Sequence, residues 1–330
     1  MARKLFQSAF FLCLSTVMAG LFTIPQAAYG RGGGSFTEPN SMMLFGDPPL
    51  LVTPKGYIKV EYPPGWIGQY ASPLPALSPT GDQIAESLKF SDGLGYGGCD
   101  PTLHTCAKIT PKYKSVMGVY SLRDKAWKFY GDFCLVGSAA FSPDGNKIAF
   151  MGKERLGNPD CGYVYGSDLL QILDIESGQL TSVPETKSML NIEQLSWAPD
   201  GRRIAIGLKD FIVAIEIGSW VQKVITEGTN PSWSPEGNWI VYHINDEQTC
   251  MIIRPDGTGA KVVLDLRLRS GGWLFYDGSV WSPDEERLLL NEEAMDGVDS
   301  NVTMVDLTTG KVTTESKEGL PVFGWVAENK

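Results

Sequence analysis

One short segment recurs along this chain and constrains its fold more than any other feature. An aromatic or large apolar residue is followed by Ser-Pro-Asp-Gly or a close variant, and then by a short apolar run such as Ile-Ala-Phe. Five copies can be aligned, and they begin at Leu77, Phe141, Trp197, Trp233 and Trp281. The copies therefore recur at intervals of 36 to 64 residues. Such spacing is typical of a β-propeller, in which each repeat forms one blade.

Each copy has the chemistry of a β-hairpin. Proline presets the backbone angle of the second turn position, glycine relieves the last, and serine and aspartate bond nearby amides. The apolar run that follows predicts a buried strand. A second hairpin follows in most copies, at residues 170–183, 211–224, 251–264 and 302–313. Two hairpins per repeat predict a four-stranded blade.

Both ends of the chain carry strand-like segments outside the five copies. Pro321–Val326 is similar to the strand that opens a repeat, and Leu50–Tyr62 has the pattern of a hairpin. Because ring closure protects sheet edges, we expect a sixth blade built jointly from the N- and C-terminal strands. The predicted fold is an all-β propeller of six four-stranded blades. A five-bladed ring with a disordered N-terminal arm is the alternative.

The first 30 residues have the pattern of a secretory signal peptide. Arg3 and Lys4 precede the uncharged apolar stretch Leu5–Ile24, and Ala28-Tyr29-Gly30 places small residues where a signal peptidase cleaves. An uncleaved membrane anchor is the alternative, since the stretch is nearly long enough to span a bilayer. The pattern favours cleavage and export to the periplasm or the exterior.

This interpretation divides the chain into a signal peptide at 1–30, a flexible arm at 31–41 and a single propeller domain at 42–330. No later apolar run approaches the length of a membrane span, so we expect no stable membrane insertion after cleavage. The chain is acidic, with a formal net charge of −10, and it has no basic stripe. Such a chain repels phosphate backbones, which excludes nucleic acid as a partner.

The repeats at Phe141–Phe150 and Trp197–Ile206 resemble the WD40-like (PD40) repeats of the TolB-type propeller family. In that family a Ser-Pro-Asp-Gly turn likewise precedes an Ile-Ala-Phe strand. The resemblance covers residues 71–326 and implies a propeller fold there. TolB-type proteins also carry an α/β domain ahead of the propeller, which the ~40 residues between the predicted cleavage site and the first repeat are too few to form.

Five cysteines follow the predicted signal peptide. Export makes disulfides plausible, and the short spacing of Cys99 and Cys106 suits a small closed loop, so we predict that this pair is bonded. Cys134 with Cys161 is a second candidate pair, and Cys250, inside an apolar run, is predicted to be a free buried thiol. The chain has no Cys-x-x-Cys pair, which disfavours a metal site.

The catalytic inventory is small. His104 and His243 are the only histidines, and no nucleophile elbow, zinc motif or phosphate-binding glycine loop occurs. The recurring Asp144, Asp200 and Asp284 are explained by their turns. We therefore expect no catalytic residue, cofactor or metal. An enzyme that cleaves carbohydrate or peptide with carboxylates in the central channel is the alternative.

The recurring tryptophans are interpreted as packing between blades, because they occupy one fixed position in the repeat. Trp66, Trp220 and Trp273 fall outside that position and are better candidates for ligand contact.

The insertions between the two hairpins of a repeat carry the functional hypothesis. They comprise residues 89–115, 152–167 and, shorter and acidic, 291–300. Equivalent loops of a propeller emerge on one face, where insertions usually mark a binding surface. We expect this face to bind a protein or a cell-wall component, although tolerated insertions without a function are the alternative. The predicted binding residues are Tyr96, Tyr163, Tyr165, Asp296 and Asp299. The two aspartates have spacing that Ca²⁺ could use, but they lack a complete loop pattern, which favours an exposed turn.

Overall fold

A computed structural model shows the fold of this protein, and every residue described below belongs to the unit 37–330. The described residues are 41–45, 49–53, 56–66, 75–91, 99–100, 105–106, 113–154, 169–183, 186, 192–208, 210–244, 247–268, 272–275, 278–294, 300–316 and 321–327. Their regular structure is almost entirely β, with antiparallel pairing throughout. They also include one turn of 3₁₀ helix, Leu266–Leu268.

The first sheet contains strands from both ends of the described chain. Its order is β26-β1-β2-β3, with Ser41 opposite Ala327 where β1 and β26 pair. The strands are β1 Ser41–Phe45, β2 Leu50–Thr53, β3 Gly56–Lys59 and β26 Val322–Ala327. The hairpin and the C-terminal strand predicted from the sequence are therefore both present.

The second sheet has seven strands in the order β12-β11-β10-β9-β8-β5-β4. Its long strand β9 pairs with β8 through its first half and with β10 through its second half, and Phe133 lies at the change of partner. The strands are β4 Ala76–Leu77, β5 Gln83–Ser91, β8 Tyr113–Ser121, β9 Ala126–Phe141, β10 Lys147–Glu154, β11 Leu169–Asp174 and β12 Leu180–Val183. A separate short hairpin pairs β6 Cys99–Asp100 with β7 Thr105–Cys106.

Three further sheets follow in chain order. The third sheet contains β13 Ile192–Trp197, β14 Arg203–Leu208, β15 Phe211–Glu216 and β16 Gln222–Glu227. The fourth contains β17 Thr229–Trp233, β18 Ile240–Ile244, β19 Thr249–Ile253 and β20 Lys261–Asp265. The fifth contains β21 Trp273–Phe275, β22 Val280–Trp281, β23 Arg287–Ala294, β24 Ser300–Asp306 and β25 Val312–Ser316. β21 and β22 both pair with β23.

The repeated turn joins the first two strands of each of the five copies, as its chemistry predicts. In the second sheet the Gly145 amide donates to the Ser142 carbonyl at 2.9 Å, and the Lys147 amide donates to the Ser142 hydroxyl at 2.9 Å. The same backbone bond closes the turns that end at Gly81, Gly201, Gly237 and Glu285. The turn therefore fixes the register of the two strands that it joins.

The core lies between neighbouring sheets. One cluster joins the second and third sheets through residues such as Met151, Leu170, Trp197 and Ile206, and equivalent clusters fill the later interfaces. The repeated tryptophans are 4–8% exposed, which confirms their packing role: Trp197, Trp233, Trp281 and Trp325. Burying a large side chain of this kind contributes about 1.5–3 kcal/mol.

The first strands of the repeats pack against one another. β26 contacts β4 and β22, β9 contacts β4 and β13, and β13 contacts β17. Hydrogen bonds join the same series, since the Trp233 amide donates to the Ser196 hydroxyl at 3.0 Å and the Trp281 indole donates to the Ser232 carbonyl at 3.1 Å. Among the described residues, no helix is long and apolar enough to cross a bilayer.

Candidate functional site

The first strands of the repeats enclose a cavity of about 280 Å³. Its lining comes from β4, β9, β13, β17, β26 and the segment at β22, and the polar members are hydroxyls and one amide: Ser138, Gln194, Ser196, Ser232 and Ser279. Among the described residues that line it, none carries a carboxylate, imidazole, amine or guanidinium group. This lining offers no paired carboxylates for the hydrolysis that the sequence left open.

Gln194 occupies part of this cavity. A Cβ atom placed on Gly278 would lie 2.0 Å from its Nε2 atom, so the side chain of Gln194 reaches from the third sheet to the segment before β22 in the fifth. A side chain at position 278 would displace it. The cavity is therefore partly filled by the protein itself.

A second polar side chain ties the fifth sheet to the C-terminal strand. Asn291, in β23, is 1% exposed; its Oδ1 atom accepts a bond from the Val322 amide and its Nδ2 atom donates to the Val322 carbonyl, both at 2.9 Å. The carboxamide thus satisfies both backbone groups of one residue of β26, as a neighbouring strand would. Sequence reasoning placed Asn291 at the start of an insertion, whereas β23 extends to Ala294.

His243 is a structural residue in its surroundings. It is 1% exposed, its Nε2 atom lies 2.9 Å from the Ser279 hydroxyl oxygen, and its ring stacks on Phe275 with a centroid separation of 4.9 Å. Burial lowers its pKa to about 3, so the imidazole is neutral near neutral pH. This agrees with the structural role predicted for it. His104 lies outside the described residues.

The aspartates of the repeat are engaged in their own turns. Asp144 accepts a bond from the Ser142 hydroxyl at 2.6 Å and another from the Asn146 amide at 3.0 Å. The Ser142 hydrogen bond, followed by the one from the Asn146 amide, lowers the pKa of Asp144. Asp200 and Asp284 likewise accept a bond from the backbone amide two residues further on. Their predicted structural role is confirmed.

The predicted binding residues lie in connections outside the described residues: Tyr96, Tyr163, Tyr165, Asp296 and Asp299. The first connection joins β5 to β8, the second joins β10 to β11 and the third joins β23 to β24. Each follows the second strand of a repeat, so each leaves the end of its sheet opposite to the repeated turn. No group of three or more His, Cys, Asp or Glu residues in the described part could hold a metal ion.

The cysteines differ in their bonding and burial. Cys99 and Cys106 are opposite each other in the backbone register of the β6–β7 hairpin, while their side chains lie outside the described part. Cys134 is disulfide-bonded. Cys250 is free and buried, as predicted, and burial raises the pKa of its thiol.

An aromatic cluster lies beside the first inserted connection. Tyr62 stacks on Trp66 at 3.8 Å between ring centroids, and Trp66 forms a backbone bridge with Phe90, one residue before the end of β5. Phe90 meets Phe129 edge-on at 5.5 Å, and Phe129 is 48% exposed. Sequence reasoning selected Trp66 because it falls outside the repeated position, but no sequence pattern linked it to the other three rings.

The other two tryptophans selected from the sequence lie elsewhere. Trp273 packs on the core between the fourth and fifth sheets, and Trp220 lines a groove between the second and third. The structure therefore does not bring the three candidates together.

No family model matches this chain, and no curated protein matches it. Solved structures do resemble it. TolB from Acinetobacter baumannii superposes with a TM-score of 0.58 at 13% identity, over 87% of this chain and 66% of that protein. A TolB-type protein from Agrobacterium tumefaciens gives 0.56 at 18% identity, over 83% of this chain and 88% of that one. An oligogalacturonate lyase from Vibrio parahaemolyticus superposes with a TM-score of 0.51 at 11% identity, over 80% of this chain and 73% of that protein. At these identities the likeness establishes a TolB-like, all-β propeller fold.

Proposed function

We propose that this chain is an exported, non-catalytic propeller of six blades that binds a protein or a cell-envelope component through its inserted-loop face. That face is defined by the connections 92–112, 155–168 and 295–299. The observation that carries the proposal is that each connection follows the second strand of a repeat, so all three leave their sheets at the end opposite to the repeated turn. The cavity between the first strands supports a non-catalytic role, because its described lining has no ionisable group.

The strand order supports six blades. Because β9 pairs with β8 and then with β10, the seven-stranded sheet is equivalent to two four-stranded blades that share this strand. The third, fourth and fifth sheets supply three more, and the sheet of β26, β1, β2 and β3 supplies the sixth. Contacts between first strands lead from one unit to the next and return through β26 to β4.

The aromatic cluster supports binding at the inserted-loop face. Tyr62, Trp66, Phe90 and Phe129 form a partly exposed apolar surface at the base of the connection 92–112. Aromatic side chains provide large, rigid contact areas, and the predicted binding residues Tyr96, Tyr163 and Tyr165 belong to the same class. The proposed surface therefore extends from these tyrosines to the cluster.

Export is supported by the signal-like pattern of residues 1–30 and by the disulfide at Cys134, because disulfides persist mainly in oxidising compartments. Cys99–Cys106 and Cys134–Cys161 are the pairings that we propose. Peptide mapping under non-reducing conditions identifies both.

The binding proposal is tested by crosslinking the purified mature protein to a cell-envelope fraction. We compare the wild type with a Tyr163→Ala, Tyr165→Ala double variant and with Tyr57→Ala as a matched control, since Tyr57 is 61% exposed on the outer strand β3. We expect a crosslinked component that the double variant loses and the Tyr57→Ala variant retains. Equal crosslinking by all three proteins would contradict the proposal.

A further inference from the structure

A groove of about 610 Å³ lies between the third and fourth sheets, at the end that carries the repeated turns. Arg203 and Lys223 line it from the third sheet, and Asn238, Trp239 and Arg254 line it from the fourth. Three cationic side chains therefore converge on one cavity, although the whole chain has a net charge of −10. The inserted loops leave the opposite end of the sheets, so this groove is separate from the face discussed above.

The three cations differ in their partners. Arg203 is paired with Asp200, with its Nη2 atom 2.7 Å from Oδ2. Lys223 and Arg254, in contrast, form no ion pair with any carboxylate in the described part of the chain. Within the described residues, the Nζ atom of Lys223 donates to the Asp256 carbonyl at 3.5 Å. Among the described residues, these two cations therefore form no ion pair, although the Asp256 carboxylate also lines the groove.

Asp256 also lines the groove, and its carboxylate is hydrogen-bonded within its own turn. The Asp256 carboxylate accepts bonds from the Thr258 hydroxyl at 2.6 Å and the Thr258 amide at 2.9 Å. These two hydrogen bonds lower the pKa of Asp256 most, and the charges of Arg254 and Lys223 lower it further. The carboxylate thus adds one negative charge to the groove without forming an ion pair with either cation.

Trp239 positions the cationic side of the fourth sheet. The Arg254 guanidinium carbon lies 5.5 Å from its ring centroid and the Lys261 amine 5.0 Å, which are cation–π distances. Other repeats have a cation at the position of Trp239, namely Lys147, Arg203 and Arg287. Arg203 and Arg287 lie over the tryptophan of the following repeat, 4.9 and 5.4 Å from the ring centroids. Only in the fourth sheet, among the described repeats, does an aromatic ring replace this cation.

The equivalent groove between the second and third sheets has a different character. It has a volume of about 500 Å³, and its lining includes Asp144, Asp200 and Lys147 together with apolar residues such as Ile172 and Trp220. Both grooves follow from the repeat, but only the first gathers three cations. The concentration of charge is therefore a property of this interface and not of the fold.

We propose that the groove between the third and fourth sheets binds an anionic group of the carboxylate or phosphate class, with Arg254 and Lys223 as its charged donors. Guanidinium and ammonium groups form strong, charge-assisted hydrogen bonds to both kinds of anion. This proposal does not depend on the binding role of the inserted-loop face.

The test is calorimetric titration of the purified mature protein, at low ionic strength, with inorganic phosphate and separately with citrate. We expect saturable binding of at least one anion at one site per chain. The Lys223→Gln, Arg254→Gln double variant should weaken it by about tenfold or more, because it removes both charged donors of the anion. Saturable binding of phosphate but not citrate would identify the phosphate class. Saturable binding of citrate but not phosphate would identify the carboxylate class.

The matched control is the Arg123→Gln, Lys128→Gln double variant, which removes the same charge from exposed positions at another hairpin. It should bind as the wild type does. Thermal unfolding without anion shows whether each variant is folded. Non-saturable heats in the wild type, or equal weakening in the two double variants when both are folded, would overturn the proposal.

Discussion

The buried polar residues show the limit of sequence reasoning at the scale of single side chains. Asn291 and Gln194 carry no motif, and their roles depend on Val322 and Gly278, which lie 31 and 84 positions further along the chain. His243 was predicted to be structural because it lies in an apolar strand, and the structure supplies its partner, Ser279. The local sequence pattern therefore predicts that a side chain is buried, whereas its hydrogen-bond partner is known only from the fold.

His243 gives a pH-dependent stability with a definite sign. Its pKa is lowered from 6.5 to about 3 in the folded protein, so below pH 6.5 the unfolded chain binds a proton that the folded protein does not. The free energy of unfolding should therefore fall with decreasing pH, by up to about 1.4 kcal/mol per unit between the two pKa values. The stability that the neutral His243 contributes is fully present above pH 6.5.

The measurement is denaturant unfolding of the wild type and His243→Gln at pH 7 and pH 5. Glutamine can still bond Ser279 but does not titrate, so the variant should lose less stability than the wild type over this interval. The carboxylates titrate alike in both proteins. Equal losses would show that His243 does not contribute.

At the scale of strands and turns, the sequence predicts most of the molecule. The hairpins expected at 170–183, 211–224, 251–264 and 302–313 are all present, because each has a strong turn signal between apolar runs. The hairpin of β8 and β9 was implied by the insertion predicted at 89–115, but its strands and turn were not located. Its turn, Leu122–Lys125, contains no glycine, and Lys125 itself adopts a φ of +52°. The long β9 was also missed, since no repeat motif marks the point where it changes partners.

A glycine of the repeated turn allows the effect of backbone strain on stability to be measured separately from side-chain contacts. Gly201 has a φ of +70°, and a Cβ atom there would meet nothing within 4 Å. Gly201→Ala should therefore lower the free energy of unfolding by about 1 kcal/mol through backbone conformation alone. Gly201→Asn should lower it less, because asparagine tolerates this region. Equal stability of the wild type and the alanine variant in denaturant unfolding would rule out strain at this turn.

At the scale of the whole molecule, the proposed ring depends on the pairing of strands from the two ends of the chain. The sequence predicted this joining from unpaired strand patterns near each terminus, and the sheet order places β26 beside β1. The inserted loops could be located from the repeat, but their binding surface could not be derived, because loop conformation has no repeating pattern. Loops from different sheets form one face only if the sheets are held in a ring.

The most direct test is thermal unfolding of a protein that lacks residues 321–330, compared with one that lacks only 328–330 and so retains β26. Loss of β26 exposes the edge of β1, removes buried Val322 and Trp325, and leaves Asn291 without its backbone partner. We expect a large fall in melting temperature for the longer deletion and a value close to that of the full chain for the shorter one. If both truncated proteins have the melting temperature of the full-length protein, the terminal strands do not close the propeller. The proposed binding face would then be contradicted as well, because it requires the ring.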